Sequence, residues 1–382
     1  MVYQIEILDK NRNFVAPVQV LAPINSSQDT IYFTQRLSNW GQLKFRVGTK
    51  DPLFDAVGDC LEPHKYHVRL KRYGSVIWQG VIVKNPERNR RYVEVVAYGY
   101  LFLLNKILIR HDASVTAGDG LDNYRTFNTG TMATAIQTLL TEAIADAGSG
   151  PVTAITTGTI ENPNFPANYT RADNTALTGA WTFGTDMTLQ YDYRSAFYVI
   201  NSMAMYPACD FELTKDLVFN FQQFIGNKQP TLSFTYGEFG NVLDYNLPRD
   251  GDRMANSLVG VAADFGNQIL HIEENDNVSQ GIYGKIQDVA AYIDVKNKNA
   301  LRSRLTEELR LISVPDSELQ LTLNDRAYPL GQIGIGDIVR VKINDHVVDF
   351  DQQRRIVGIN VNVSNNGSDK IKLFTNKPKE GI

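Results

Sequence analysis

Two stretches of this sequence, 271 positions apart, carry the same pattern, and that pattern limits what the chain can become. Near the start the order is QLKFRVG, a gap, HVRLK, a turn, IWQGVIV, a turn and YVEVVAYG. Near the end it is ELQLTLN, a gap, IVRVK, a turn, RRIVGINV, a turn and KIKLFT. Each segment alternates apolar and polar residues, the period of a half-buried strand, and the segments follow one another at similar spacing. The expectation is two copies of one small β-barrel at opposite ends of the chain. If three such chains ring an axis, two similar barrels per chain set six similar units around a pore, and a threefold ring then imitates sixfold symmetry.

Between the two copies the pattern changes. MATAIQTLLTEAIADA places Met132, Ile136, Leu139, Leu140, Ala143, Ile144 and Ala147 on one stripe, which predicts a helix over 132–147 capped by Thr131 and stopped by Gly148. Residues 148–184 are rich in Thr, Asn, Gly and Pro and form an elaborated loop or small insertion. A helix over 195–205 ending before Pro207 leads into a hairpin, 210–214 and 217–221, turning at Lys215-Asp216. NSLVGVAADFG and QILHIEEN read as strands, and KNALRSRLTEELRLI as an amphipathic helix ending before Pro315. The resulting expectation is a mainly β chain with α+β insertions: a first tube-like barrel over 1–105, an inserted helix-plus-hairpin domain over 106–230, a mixed α/β domain over 231–315, and a second barrel over 316–382 related to the first. With 382 residues, 43% of them hydrophobic and 21% charged, the chain has enough material for several cores.

Charge is unevenly spread. Between Arg69 and Glu94 seven Lys and Arg residues stand against two Glu, in a chain of formal net charge −4. Lys84, Arg88, Arg90 and Arg91 fall in or beside the turn NPERNRR, where exposure leaves charge solvated, and the other three alternate with apolar residues on a strand. The stretch therefore reads as the wet edge and turn of a barrel rather than a nucleic-acid grip, with Arg88, Arg90 and Arg91 as a candidate interaction turn.

Motifs for chemistry are sparse. Only Cys60 and Cys209 occur, which supports neither a disulfide framework nor a thiolate metal site. His64 and His67 are three apart, and on a strand that spacing sends them to opposite faces; His111, His271 and His346 are isolated. Asp112, Asp119 and Asp122, or Glu273, Glu274 and Asp276, offer carboxylates without the spacing of a known calcium loop. Asn168 opens an NYT sequon, which matters only in a secreted eukaryotic protein. No nucleophile elbow, phosphate loop or dinucleotide fingerprint is present, so no cofactor, metal or catalytic residue is expected. MVYQIEIL lacks the basic and apolar regions of a secretory signal, and no apolar run reaches membrane-spanning length, so synthesis in a cytosol is expected.

In its order of segments the chain resembles the hub proteins of bacteriophage tail tips and baseplates. The resemblance covers most of the chain outside 148–184 and rests on LKFRVGTKDPLF, YHVRLKRYGSVIWQGVIV and VEVVAYGYLFLL, then SAFYVINSMAMYPACDFELTKDLVFNF, then NSLVGVAADF, GIYGKIQ, ALRSRLTEELRLI and YPLGQIGIGDIVRVKI. Gly336 and Asp337 form the Gly-Asp pair typical of the family's last barrel. The resemblance implies a virion structural protein at the tail tip: a homotrimeric ring that caps the tail tube, joins a sixfold tube or distal ring to threefold tip proteins such as a fibre or spike, and encloses the channel for DNA and the tape-measure protein. It implies made-in-host synthesis and no sequence-specific hold on passing DNA, so the pore wall is expected to be acidic or neutral, with residues 85–91 not crowding the lumen. Many relatives carry a hydrolase domain after the hub, whereas this sequence stops at Ile382, shortly past its last strand. Two alternatives stay open. One is a tail-associated cell-wall hydrolase with its site in 148–184. The other is a carbohydrate-binding host-recognition protein using Tyr169, Trp181 and Phe183 as glycan-contact aromatics.

Overall fold

The computed structural model describes residues 3–20, 31–58, 61–109, 125–148, 150–164, 179–183, 188–191, 194–206, 208–238, 240–248, 251–263, 269–292, 295, 298–315, 318–324, 332–346, 348–364 and 369–377. The chain is mainly β with helical insertions. Its first part contributes β1 (Tyr3–Leu8), β2 (Phe14–Val18), β3 (Ile31–Arg36), β4 (Gln42–Gly48), the short helix α1 (Leu53–Val57), β5 (His67–Arg72), β6 (Ser75–Lys84) and β7 (Tyr92–Gly99). Leu43, Phe45 and Val47 point inward along β4, and Val68 and Leu70 along β5, as their alternation requires. The β5–β6 hairpin turns through Tyr73 and Gly74, both at positive φ, the geometry that two-residue hairpin turns need.

The middle of the chain holds β8 (Arg125–Phe127), α2 (Met132–Ala147), β9 (Thr156–Ile160), β10 (Leu189–Tyr191), α3 (Ala196–Met205), β11 (Asp210–Leu213) and β12 (Val218–Gln222). The caps expected for α2 hold, since Thr131 accepts from the Thr134 N–H and the helix stops at Gly148 with positive φ, while Ser195 stands just outside α3 and caps it by accepting from the Tyr198 N–H. β13 (Lys228–Tyr236) and β14 (Val242–Asn246) follow, and then β15 (Ser257–Ala263), β16 (Ile269–Asn275), α4 (Asn277–Tyr283), β17 (Gln287–Tyr292) and α5 (Lys298–Ile312). The last strands are β18 (Leu319–Asn324), β19 (Ile338–Asn344), β20 (Asp349–Val363) and β21 (Asp369–Asn376).

Strand pairing shows the duplication directly. In the first half the neighbours run β1-β5-β6-β7-β4-β3, and in the second β13-β19-β20-β21-β18-β14. The correspondence extends to irregularities: β6 slips register against β7 between Ile82 and Lys84, and β20 slips against β21 between Ile356 and Gly358. One difference is polarity, since β1 meets β5 antiparallel whereas β13 meets β19 parallel. β13 and β14, from the segment between the two sequence repeats, thus complete the second copy. Each path bends back on itself, the first through the Val20↔Val47 bridge and the second where Asn241 binds Thr235 N and Ser233 O between β13 and β14.

The copies are fused into a single sheet of 13 strands because residues 358–363 of β20 also pair with β3. One apolar core runs through both, from Ile5, Leu43 and Val95 to Val341, Ile359 and Leu373. A second gathers the 3-10 turn Tyr100–Lys106, α2, α3, the β11–β12 hairpin and the inward face of α5.

Candidate assembly surfaces

The seam between the two halves is polar as well as hydrogen-bonded. Asp369, at the start of β21, accepts from Tyr3 Oη at 2.5 Å and from the Arg72 guanidinium at 2.9 Å, and all three side chains are buried. Arg36 lies 4.2 Å over the Phe374 ring and runs past Gly358, where any Cβ would collide with its guanidinium. A matching joint ties in the β11–β12 hairpin. Arg355 forks onto Asp210, donates to Ile225 O at 2.7 Å and Gly336 O at 3.2 Å, and stacks 4.2 Å from Phe224. Close beside it, Gly336 has φ +90° and its backbone touches Ile225, while Asp337 accepts from the N–H groups of Asn227 and Gly334. The Gly-Asp pair singled out in the sequence is thus a close backbone crossing fixed by a buried carboxylate.

The basic stretch separates into two kinds of residue. Arg69 and Lys71 pair with Glu6, and Arg72 with Asp369. Lys84, Arg88, Arg90 and Arg91 are exposed, and among the described residues no ion pair joins them. Their turn is nonetheless well built: Asn89 accepts from the N–H groups of Arg91 and Tyr92, Tyr92 Oη donates to Glu87, and Thr49 binds the carbonyls of Arg90 and Arg91. Backbone pairing holds this segment to β7 through Arg88↔Val93 and Glu94 N to Glu87 O, and Asn85 donates from its start to the Leu61 carbonyl at 2.6 Å. Among the described residues β14 is laddered only to β18, with Leu243 60% exposed and Asp244 and Glu238 in solvent.

Two of the three aromatics considered for glycan contact lie in the interior. Trp181 and Phe183 are 1% and 5% exposed, packed against Tyr206 and Phe127, because rings of that size stabilise the insertion best by burial. Tyr169 lies outside the described residues, as do Asn168, Cys60, His111 and the 112–122 carboxylates.

The remaining titratable candidates have structural duties. His64 sits in the turn before β5, not on the strand, and stacks on Phe102. His67 is wholly buried with Nδ1 3.1 Å from Tyr100 Oη; burial, helped by the nearby Arg12 guanidinium and opposed by Asp9, pushes its pKa down to about 4. Glu273 binds Lys285 and Ser257, Glu274 binds Arg302, and Asp276 caps α4 through the Ser279 N–H. Among the described residues no group of three His, Cys, Asp or Glu converges to hold a metal, and no helix is long and apolar enough to cross a membrane. What the sequence missed is an apolar face. Outward-pointing Val289 and Ile269 on the β15–β17 sheet, with Val278 and Ile282 on α4, stay exposed while the opposite face packs on α5.

No protein-family model matches the sequence, and no curated protein matches it. Solved structures do. The tail protein from Neisseria meningitidis MC58 is similar across 100% of this chain and 98% of its own, with TM-score 0.61 and 12% identity. The 43 kDa tail protein of prophage MuSo2 from Shewanella oneidensis gives TM-score 0.59 at 12% identity, over 98% of this chain and 97% of its own. A prophage tail protein from Listeria monocytogenes EGD-e gives 0.55 at 12% identity, over 98% and 95%.

Proposed function

From a chain that has the fold of prophage tail proteins, we propose a structural hub of a phage tail tip. Three copies form a ring that closes the end of the tail tube and joins a sixfold tube or distal ring to threefold tip proteins. The tape-measure protein and then the DNA pass through its centre, and the protein works in the virion, at the tail tip, without catalysis.

The observation that carries this reading is the duplicated strand path within one continuous sheet. A chain with two like units side by side presents a sixfold-like rim from only three copies, the geometric need wherever a sixfold tube meets a threefold tip. The buried joints at Asp369 and Asp210 support it further, because they hold the two units and the inserted hairpin at fixed angles, and a ring closes only if those angles are fixed. A wall that lets DNA slide cannot hold phosphates with many cations, so the free Arg88, Arg90 and Arg91 belong away from the lumen.

Light scattering and negative-stain class averages of the purified protein test the proposal. The expected result is a particle of three chain masses with threefold or sixfold-like averages and an open centre. A solved ring with the three arginines crowding its lumen overturns the account of the pore.

A further inference from the structure

One strand edge of the first copy opens into a cavity. β7 pairs with β6 only from Gly80 onward, because after Gly99 the chain leaves the sheet for the 3-10 turn Tyr100–Lys106. The Val76–Gln79 segment therefore ladders to β5 on one side and, among the described residues, to no strand on the other. That bare side lines a groove of about 500 Å³, walled by the β3–β4 turn, the tip of the β11–β12 hairpin and residues 333–335. A cleft of that volume is of ligand size.

Its chemistry suits a polypeptide. The Ile77 carbonyl already takes an amide donor, Gln35 Nε2 at 3.2 Å, in the way it would take the N–H of a neighbouring strand. Among the described residues no backbone bond from outside β5 reaches Val76, Trp78 or Gln79. The Gln79 side chain also lines the groove and is 7% exposed; Tyr100 Oη engages its Oε1 at 3.4 Å, and among the described residues its Nε2 has no acceptor. Trp40, Leu213 and Ile335, all half-buried, give the walls apolar surface. Arg36 brings to the same groove a cation that no described carboxylate pairs.

We infer that this groove binds an extended segment of a partner protein, added as a strand to the bare edge of β6, with apolar side chains against Trp40, Leu213 and Ile335 and a carboxylate towards Arg36. Backbone bonds to the edge supply the hold, and alternate side chains in the groove supply the selectivity. A lipid or a nucleotide has no row of alternating N–H and C=O groups to match such an edge. The site belongs to a single chain, so it goes beyond the ring reading and stands independently of it.

A strand of about five residues, roughly 17 Å long, spans the edge and supplies the probe. The full chain is titrated with fluorescein-labelled Thr-Val-Glu-Val-Thr-amide, followed by fluorescence polarisation, and hydrogen exchange is read by mass spectrometry on the same mixture. Two further versions of the peptide carry N-methyl groups on one or the other alternate set of amides, and a fourth has Lys in place of Glu. The expected result is saturable binding with Kd below about 1 mM and slowed exchange at Val76–Gln79. One N-methyl version should lose roughly tenfold or more in affinity while the other keeps it, because alternate amides of a strand face opposite edges. The Lys version should bind roughly tenfold more weakly. No saturable binding up to about 1 mM, protection only elsewhere in the chain, or equal binding of the two N-methyl versions overturns the strand addition. A Lys version that binds as tightly as the Glu peptide overturns the acidic character assigned to the partner.

Discussion

Asp210→Ala is the substitution whose cost the structure defines best. Asp210 and Arg355 are each 2% exposed, so removing the carboxylate leaves a guanidinium in the interior with, among the described residues, two carbonyls and a ring for company. Uncompensated burial of a charge costs about 3–5 kcal/mol, and the Ile225 N–H, which also donates to Asp210, loses its acceptor. Asp210→Asn keeps an acceptor for that N–H and removes only the charge, so it should cost less than the alanine change. Adding Arg355→Met to Asp210→Ala removes the stranded cation and should recover most of the loss, leaving about 1–2 kcal/mol for the unpaired N–H. Urea unfolding at neutral pH, followed by tryptophan fluorescence and far-UV circular dichroism, reads all three. An Asp210→Ala chain within about 1 kcal/mol of wild type, or a double variant no more stable than the single, refutes the claim that this pair is a buried, coupled joint.

Three other outcomes follow from neighbouring features. His67 falls from 6.5 to about 4 on folding, so the unfolded chain binds the proton first; that contribution, about 3 kcal/mol, is fully present above pH 6.5 and drains away as pH drops towards 4. Urea midpoints for His67→Gln should show a shallower slope across that window, and an unchanged slope sinks the assignment. Gly336→Ala would place a Cβ 1.9 Å from the Ile225 carbonyl at a φ of +90°, so a loss of about 3 kcal/mol or more is expected in the same denaturation assay. At exposed Gly281, inside α4 with open space around it, Ala should instead add about 0.5–1 kcal/mol through helix propensity.

Local signals carried far in this sequence and stopped at long-range ones. Alternation in HVRLK and IVRVK marked the strands, and Thr131 and Gly148 marked the ends of α2, because each depends on neighbours within one turn or one pleat. β14 escaped notice since its edge position exposes Leu243 and Asp244 together, breaking the expected alternation. Ile31–Arg36 likewise owes its place to residues 358–363, a dependence with no trace in the local pattern. Among functional candidates, the basic turn was visible as charge, but its separation from the paired Arg69, Lys71 and Arg72 was not, because Glu6 and Asp369 come from distant strands. Trp181 and Phe183 show the opposite limit: a polar, glycine-rich surrounding sequence gives no sign of the core that α2 and α3 build beneath them.

The pairing of β3 with β20 also orders events during synthesis. Strands β1 to β7 are complete once Gly99 is made, yet the outer edge of β3 waits for residues 358–363, and Arg72 waits for Asp369. At typical translation speeds of 5–20 residues per second that interval is roughly 13–54 s, during which a half-finished chain offers a bare β edge and an Arg72 without its Asp369 carboxylate. A ribosome that stalls inside the last strands therefore releases a first barrel unable to bury its own seam. Such a product is open to chaperones and proteases before it can join a growing tail.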